Sequence, residues 1–237
     1  MLRWVRALGL AVALAACARD EEARPRSTWG DGASRVAQGQ VSEDGAAPTI
    51  PADAPLVAFL GDSISAGLHL SGDEAFPAVL QRKLAAEGQP FQLINAGVSG
   101  DTTAGGLRRL EWLLARAPDV VVVELGGNDG LRGQDLAAVE RNLRAIVETI
   151  RAKGARALLL EMKLPPSLGA EYTGRFEALY ARVAAEADVP LVTDFLAGVG
   201  GVPAMNLEDG LHPTAEGHRR LAANVAPQLS ELLRKEP

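Results

Sequence analysis

The chain has 237 residues, a formal net charge of −6, 47% hydrophobic residues and 23% charged residues. These values are those of a soluble globular protein with a sizeable core, and the length fits one domain with appendages. The acidic balance argues against a nucleic-acid partner, because phosphate binding needs a clustered basic surface.

The first 17 residues have the pattern of an export signal. The segment MLRWVR carries two arginines, and the apolar run ALGLAVALAA is too short to cross a bilayer as a stable helix. The run ends in LAAC, which resembles a bacterial lipobox, and its Cys17 is the only cysteine of the chain. Residues 1–17 are therefore predicted to be a lipoprotein signal peptide. An ordinary signal peptide with an incidental cysteine is the alternative.

The lipobox implies an exported lipoprotein that is held to a membrane through lipidated Cys17 and faces the periplasm. Residues 18–55 follow, rich in Ala, Gly, Pro, Ser and charged residues without sustained periodicity. Such a segment buries too little apolar surface to offset its ordering entropy, so we interpret it as a flexible linker. The folded domain is predicted to cover residues 56–237.

Short, nearly continuous apolar runs begin at Leu56. Runs of this kind indicate the buried strands of a parallel sheet that is covered on both faces. They are LVAFL, FQLIN, VVVVEL, ALLLEM and PLVTDF, at residues 56–60, 91–95, 120–125, 157–162 and 190–195.

Amphipathic segments alternate with these runs. Apolar residues from Leu136 to Ile150 recur every three or four positions, which predicts one apolar helix face, and Gly154 stands where a glycine cap is expected. Similar patterns cover residues 75–87, 103–115, 171–187 and 215–233. The alternation predicts an α/β fold, namely a three-layer α/β/α domain with a five-stranded parallel sheet.

Candidate catalytic residues follow the ends of the predicted strands. Ser63 follows the first strand, Gly97 the second and Asn128 the third, and DGLHPT, with Asp209 and His212, precedes the last helix. In the common strand order 2-1-3-4-5 the first three loops are neighbours, at the sheet edge where open α/β sheets bind ligands.

These residue types meet the needs of acyl transfer. A serine hydroxyl is a weak nucleophile until a base removes its proton, and a histidine steered by a carboxylate is such a base. We therefore expect Ser63, Asp209 and His212 to be catalytic. We expect the N–H groups of Ser63 and Gly97 and the amide of Asn128 to form an oxyanion hole.

The motifs GDSIS, NAGVSGDTT, GGND and DGLHP together resemble the four sequence blocks of the SGNH hydrolases, also called the GDSL family. ELGGNDGLRG and SGDTT are similar to the bacterial arylesterase, acyl-CoA thioesterase and lysophospholipase subgroup. The resemblance implies a serine esterase with Ser63, Asp209 and His212 as its triad and a small-molecule or lipid acyl ester as substrate. Ile64 replaces the usual leucine, a volume-conserving change.

Each of these residues also has a structural interpretation, since Ser63 is able to cap a helix and Asn128 to form a turn. We interpret Leu131, in the segment GLRGQD, either as an acyl-chain contact or as part of a plain connection. Three histidines and one cysteine offer no usual metal-ligand set, and no dinucleotide or phosphate-loop motif occurs, so no metal or cofactor is expected. The rival functions are a carbohydrate O-acetyl esterase and a non-catalytic ligand-binding lipoprotein.

Overall fold

The structure is a computed structural model that describes residues 49–234. The predicted signal peptide, Cys17 and most of the predicted linker lie outside the described residues. Within residues 49–234 the strands are β1 Leu56–Gly61, β2 Gln92–Gly97, β3 Val120–Glu124, β4 Arg156–Leu160 and β5 Leu191–Val192. The α-helices of the same part are α1 Ser63–Ala66, α2 Phe76–Ala86, α3 Thr103–Leu114, α4 Gly127–Leu131, α5 Leu136–Ala152, α6 Ala170–Ala187 and α7 Ala215–Arg234.

All five strands form one parallel sheet in the order β2-β1-β3-β4-β5. This confirms the predicted fold class and strand order. β1 lies between β2 and β3, with Gly61 in register with both Gly97 and Glu124. The carboxyl ends of these three strands therefore meet at one place on the sheet edge.

Helices cover both faces of the sheet. α2 packs against α7, and α5 packs against both α3 and α6. Four residues of the apolar stripe predicted for α5 are buried, namely Val139, Leu143, Val147 and Ile150. A four-valine run in β3 is fully buried, as expected for a strand with helices above and below it.

Both ends of α5 are capped, and the glycine predicted at its C-terminal end is present in the expected conformation. Asp135 accepts a hydrogen bond from the Ala137 N–H at 3.1 Å and so caps the start of α5. Beyond its end, Gly154 adopts a φ of 85°, a left-handed conformation that favours glycine. In the described part of the chain, no helix is both long enough and apolar enough to span a bilayer.

The structure differs from the sequence prediction at the last strand. β5 has two residues, because only Leu191 and Val192 pair with β4, through Leu159 and Leu160. β4 itself ends at Leu160, so the apolar residues that follow Val192 have no further strand partner and continue into turns. The short helices α1 and α4, directly after β1 and β3, were not predicted either.

His218 links α7 to the start of α2. The ring is buried, and Nδ1 accepts a hydrogen bond from the Phe76 N–H at 3.0 Å. That N–H belongs to the first residue of α2 and has no acceptor within the helix. Burial lowers the pKa of His218 from 6.5 to about 4, since the charged ring would lose its hydration. His218 therefore has a structural role at this helix contact.

Stability is expected to fall on acidification because of His218. His218 binds a proton near pH 6.5 in the unfolded chain but only near pH 4 in the folded protein. The free energy of unfolding therefore decreases as pH falls through this range. Between pH 7.5 and pH 5 the loss is about 2 kcal/mol for this group. Urea unfolding of the wild type and His218→Gln at both pH values measures it. Gln keeps an acceptor for the Phe76 N–H without titrating, so an equal pH dependence in both proteins would contradict this assignment.

Candidate active site

A cavity of about 150 Å³ opens at the carboxyl edge of the sheet. Ser63, Asn128, Leu131 and His212 all line it, so the fold brings together four of the predicted site residues. The rest of its wall is mainly apolar and comes from the ends of β4 and β5 and from the loop before α7: Met162, Leu164, Pro165, Leu196 and Leu211.

Ser63 is the first residue of α1, directly after β1. Asp62 occupies the N-cap position and accepts a hydrogen bond from the Ile64 N–H at 2.9 Å. The capping role that the sequence left open for Ser63 therefore belongs to Asp62. The Ser63 hydroxyl lies 2.8 Å from Nε2 of His212, although the two residues are 149 positions apart in the chain. That distance joins a hydroxyl to a base in hydrogen-bonding contact.

Asp209 holds the other side of the imidazole. Its Oδ2 lies 2.5 Å from Nδ1 of His212, and its Oδ1 accepts hydrogen bonds from the N–H groups of Leu211 and His212, each at 2.9 Å. The hydrogen bonds from His212, first that of its backbone and then that of its ring, together with the Leu211 N–H, lower the pKa of Asp209 to about 2. The carboxylate is therefore charged at neutral pH and orients the ring.

Asn128 reaches the cavity because of the sharp turn that precedes α4. Gly126 has a φ of 114°, and a Cβ there would lie 2.1 Å from the Tyr180 hydroxyl, so the position requires glycine. The Asn128 Nδ2 donates to Asp62 Oδ2 at 3.0 Å, and its Oδ1 lies 3.5 Å from a guanidinium nitrogen of Arg132. The amide thus has a defined orientation beside Ser63.

The assignment of Gly97 to an oxyanion hole is wrong in this structure. Its N–H donates to the Asn95 side chain at 3.0 Å, and Gly97 does not line the cavity. Glycine is needed there for a different reason, since a Cβ would lie 2.3 Å from the backbone nitrogen of Ala66. β2 and α1 therefore touch through their backbones at this point.

The next turn contains a second glycine, Gly100, which does not line the cavity either but differs from Gly97 in its N–H group. The Asp101 N–H bonds to the Val98 carbonyl at 3.0 Å, and Gly100 in the third position has a φ of 80°. Among the described residues no hydrogen bond uses the Gly100 N–H, whereas its carbonyl accepts from Arg132 at 3.1 Å. Arg132 also approaches the Asn128 amide, so the turn lies beside Asn128.

Sequence reasoning missed several residues of this site. His69, which belongs to none of the four sequence motifs, is exposed but places its ring 6.4 Å from the His212 ring. The apolar wall residues Met162 and Leu196 also went unrecognised, although both follow strand ends. The rule that ligands bind at the carboxyl ends of strands would have pointed to them.

A larger open cavity of about 570 Å³ lies at the opposite, amino end of β4 and β5. Its lining residues include Arg151, Arg156 and Asp188 but no serine, threonine, cysteine or histidine. It therefore offers no hydroxyl or thiol nucleophile and no imidazole base, so the smaller cavity is the better candidate for the active site.

Comparison with known proteins agrees with this geometry. The chain is similar to esterase TesA of Pseudomonas aeruginosa, with 47% identity over 186 residues, which are 78% of this chain and 92% of that protein. It is 40% identical to thioesterase 1/protease 1/lysophospholipase L1 of Escherichia coli over 183 residues, 77% of this chain and 86% of the relative. The crystal structure of TesA matches with a TM-score of 0.73, covering 75% of this chain and 99% of the other.

The fold, the site and these relatives define an ester-bond hydrolase of the SGNH type. Residues 59–220 match the model of the GDSL-like lipase/acylhydrolase family. The chain belongs to that family, which confirms the resemblance inferred from its four motifs.

Proposed function

We propose that this hydrolase cleaves carboxylic esters or thioesters through an acyl-enzyme on Ser63. One observation carries the proposal: the continuous hydrogen-bonded line from the Ser63 hydroxyl through His212 to Asp209, with distances of 2.8 and 2.5 Å. In this line a nucleophile, a general base and a carboxylate that fixes the tautomer stand in the order that acyl transfer needs.

The reaction follows from that order. Nε2 of His212 takes the Ser63 proton while Oγ forms a bond to the ester carbonyl carbon, and the carbonyl electrons move to its oxygen. Collapse of this intermediate breaks the bond to the leaving alcohol or thiol, which receives the proton from His212. Water then attacks the acyl-enzyme by the same route and releases the acid. Asp209 stabilises the imidazolium that exists in both steps.

Three donors serve the oxyanion in this proposal: the N–H of Ser63, the N–H of Gly100 and the amide of Asn128. Gly100 takes the role first expected of Gly97, because its N–H has no other described partner and its turn adjoins Asn128 through Arg132. Each donor of this kind is worth ~10²–10³ in turnover.

The acyl group is proposed to lie along the apolar wall of the cavity, with Leu131 covering it. Leu131 lines the cavity yet remains 42% exposed, so an acyl chain would bury more of it. Relatives named as esterase, thioesterase and lysophospholipase support an acyl ester or thioester as substrate. A carbohydrate O-acetyl esterase fits this wall less well, since a sugar needs polar contacts.

Ser63→Ala should abolish hydrolysis without loss of the fold, because the change removes a hydroxyl rather than core volume. A fluorophosphonate probe should label the wild type and the control Ser71→Ala, whose exposed serine lies outside the cavity, but not Ser63→Ala. Equal labelling of all three proteins, or wild-type turnover in purified Ser63→Ala, would exclude an acyl-enzyme on Ser63. A wild type that neither reacts with the probe nor hydrolyses esters would favour the non-catalytic lipoprotein.

Leu131→Ala should weaken hydrolysis of long-chain esters more than that of acetyl esters, since each buried CH₂ is worth ~0.8 kcal/mol. The measurement is kcat/KM for a short and a long p-nitrophenyl ester. Leu168→Ala is the matched control, because Leu168 is 41% exposed and does not line the cavity. An equal loss on both esters, or the same chain-length effect in the control, would contradict an acyl contact by Leu131.

We also propose that the enzyme is exported and anchored in the cell envelope through Cys17, on the strength of the leader and its LAAC sequence. Mass spectrometry of the mature protein from membranes should find a lipid on Cys17. Cys17→Ser should lose this lipid while keeping its hydrolytic activity, because the linker separates the anchor from the domain. A mature wild-type protein without lipid would exclude the anchor.

A further inference from the structure

Beneath Ser63 and Asn128 lies a buried pair of carboxyl groups that the proposed reaction does not use. Glu124, the last residue of β3, is fully buried, and Asp62 is 3% exposed. Gly61 makes room for the pair, because a Cβ at that position would lie 2.7 Å from Glu124 Oε2.

The two oxygens of Glu124 differ in their surroundings. Oε2 accepts hydrogen bonds from the Asp62 N–H at 3.1 Å, the Ser65 N–H at 3.2 Å and the Ser65 hydroxyl at 2.7 Å. Oε1 is buried and has no hydrogen-bond partner among the described residues. A buried acceptor without a donor is costly, whereas a proton on Oε1 would turn it into a donor.

Asp62 is the other carboxyl group of the pair. Its Oδ1 accepts from the Ile64 N–H and its Oδ2 from the Asn128 amide, which are interactions of an ionised carboxylate. Burial raises the pKa of Asp62, and the hydrogen bonds from Ile64, Glu124 and Asn128 and the charge of His212 oppose this rise. Burial and the charge of Asp62 raise the pKa of Glu124 well above its ordinary value. Two carboxylates in such a space do not both ionise.

We propose that Glu124 is a positioning residue that carries a proton on Oε1 and donates it to Asp62, which in turn fixes the Asn128 amide for the oxyanion. One Nδ2 hydrogen of Asn128 is engaged by Asp62, and the second is left for the substrate oxygen in the cavity. The hydrogen-bond chain thus runs from Glu124 to the oxyanion hole. Its catalytic part rests on the proposed function, but the location of the proton does not.

The proton is tested directly by infrared spectroscopy of the purified protein at neutral pH. The wild-type spectrum should contain the carbonyl stretch of a protonated carboxyl group, and Glu124→Gln should lack it. Asp62→Asn is the matched control, because it removes the other carboxyl of the pair. If the band is absent from the wild type or survives in Glu124→Gln, Glu124 is not the protonated residue and the proposal is overturned.

The positioning role is tested by kinetics. Glu124→Leu should lower kcat by about 10²-fold, as for loss of one oxyanion donor, with little change in KM. Glu124→Gln should recover most of this loss, since its amide N–H₂ donates to Asp62 while its oxygen accepts the three bonds of Oε2. Asp62→Asn should lower kcat more than Glu124→Gln does. Turnover in Glu124→Gln as low as in Asp62→Asn would overturn the proposal.

A double-mutant cycle separates positioning from a general structural role. If Glu124 acts through the Asn128 amide, Glu124→Leu should cost at most a few-fold in an Asn128→Ala background instead of about 10²-fold. An undiminished cost there would overturn the positioning role. Thermal unfolding checks that each variant is folded. If Glu124→Leu does not fold, the comparison of turnover in Glu124→Gln with turnover in Asp62→Asn decides the positioning role instead. A wild type without esterase activity would refute the proposed function and leave the infrared result to decide the proton.

Discussion

The placement of β1 between β2 and β3 is the constraint on which the site depends. The parallel register aligns Gly61, Gly97 and Glu124, so the segments that follow these residues leave the sheet at the same edge. The serine on α1, the turn at Gly100 and the amide on α4 become neighbours for this reason alone. His212 then reaches Ser63 from the loop before α7, where hydrogen bonds to Asp209 hold it. The three-dimensional site is a consequence of strand order more than of any local segment.

Much of this arrangement could be predicted from the sequence because its signals are short-range. Continuous apolar runs predicted the strands, and the strand-end rule placed Ser63 and Asn128 at one edge of the sheet, whereas His212 was recognised from the DGLHPT motif before the last helix. The oxyanion-hole glycine could not be predicted in this way. NAGVSGDTT contains two glycines, and the sequence does not show which of their N–H groups is hydrogen-bonded to a neighbouring residue. The length of β5 was equally hidden, because a strand ends where its partner ends, and that depends on register across the sheet.

The carboxyl groups of this site have pKa values that are shifted in opposite directions by their surroundings. Asp209 is partly exposed and accepts hydrogen bonds from two N–H groups and a ring nitrogen, which lower its pKa to about 2. Glu124 is fully buried beside another carboxyl, and its pKa is raised. Hydrogen bonds to the charged form favour ionisation and desolvation opposes it, so the same functional group is an anion in one place and a neutral donor in the other.

The location of the buried proton also matters for charge during the reaction. In the proposed reaction an imidazolium forms on His212 while an oxyanion forms beside Asn128, and the low dielectric of a buried site strengthens every interaction with them. A single negative charge on Asp62 favours the imidazolium, because His212 and Asp62 attract each other. A second negative charge, on Glu124, would repel the oxyanion. A neutral Glu124 keeps the orienting hydrogen bonds of the pair while limiting its charge to one, which suits a site that must stabilise a new anion.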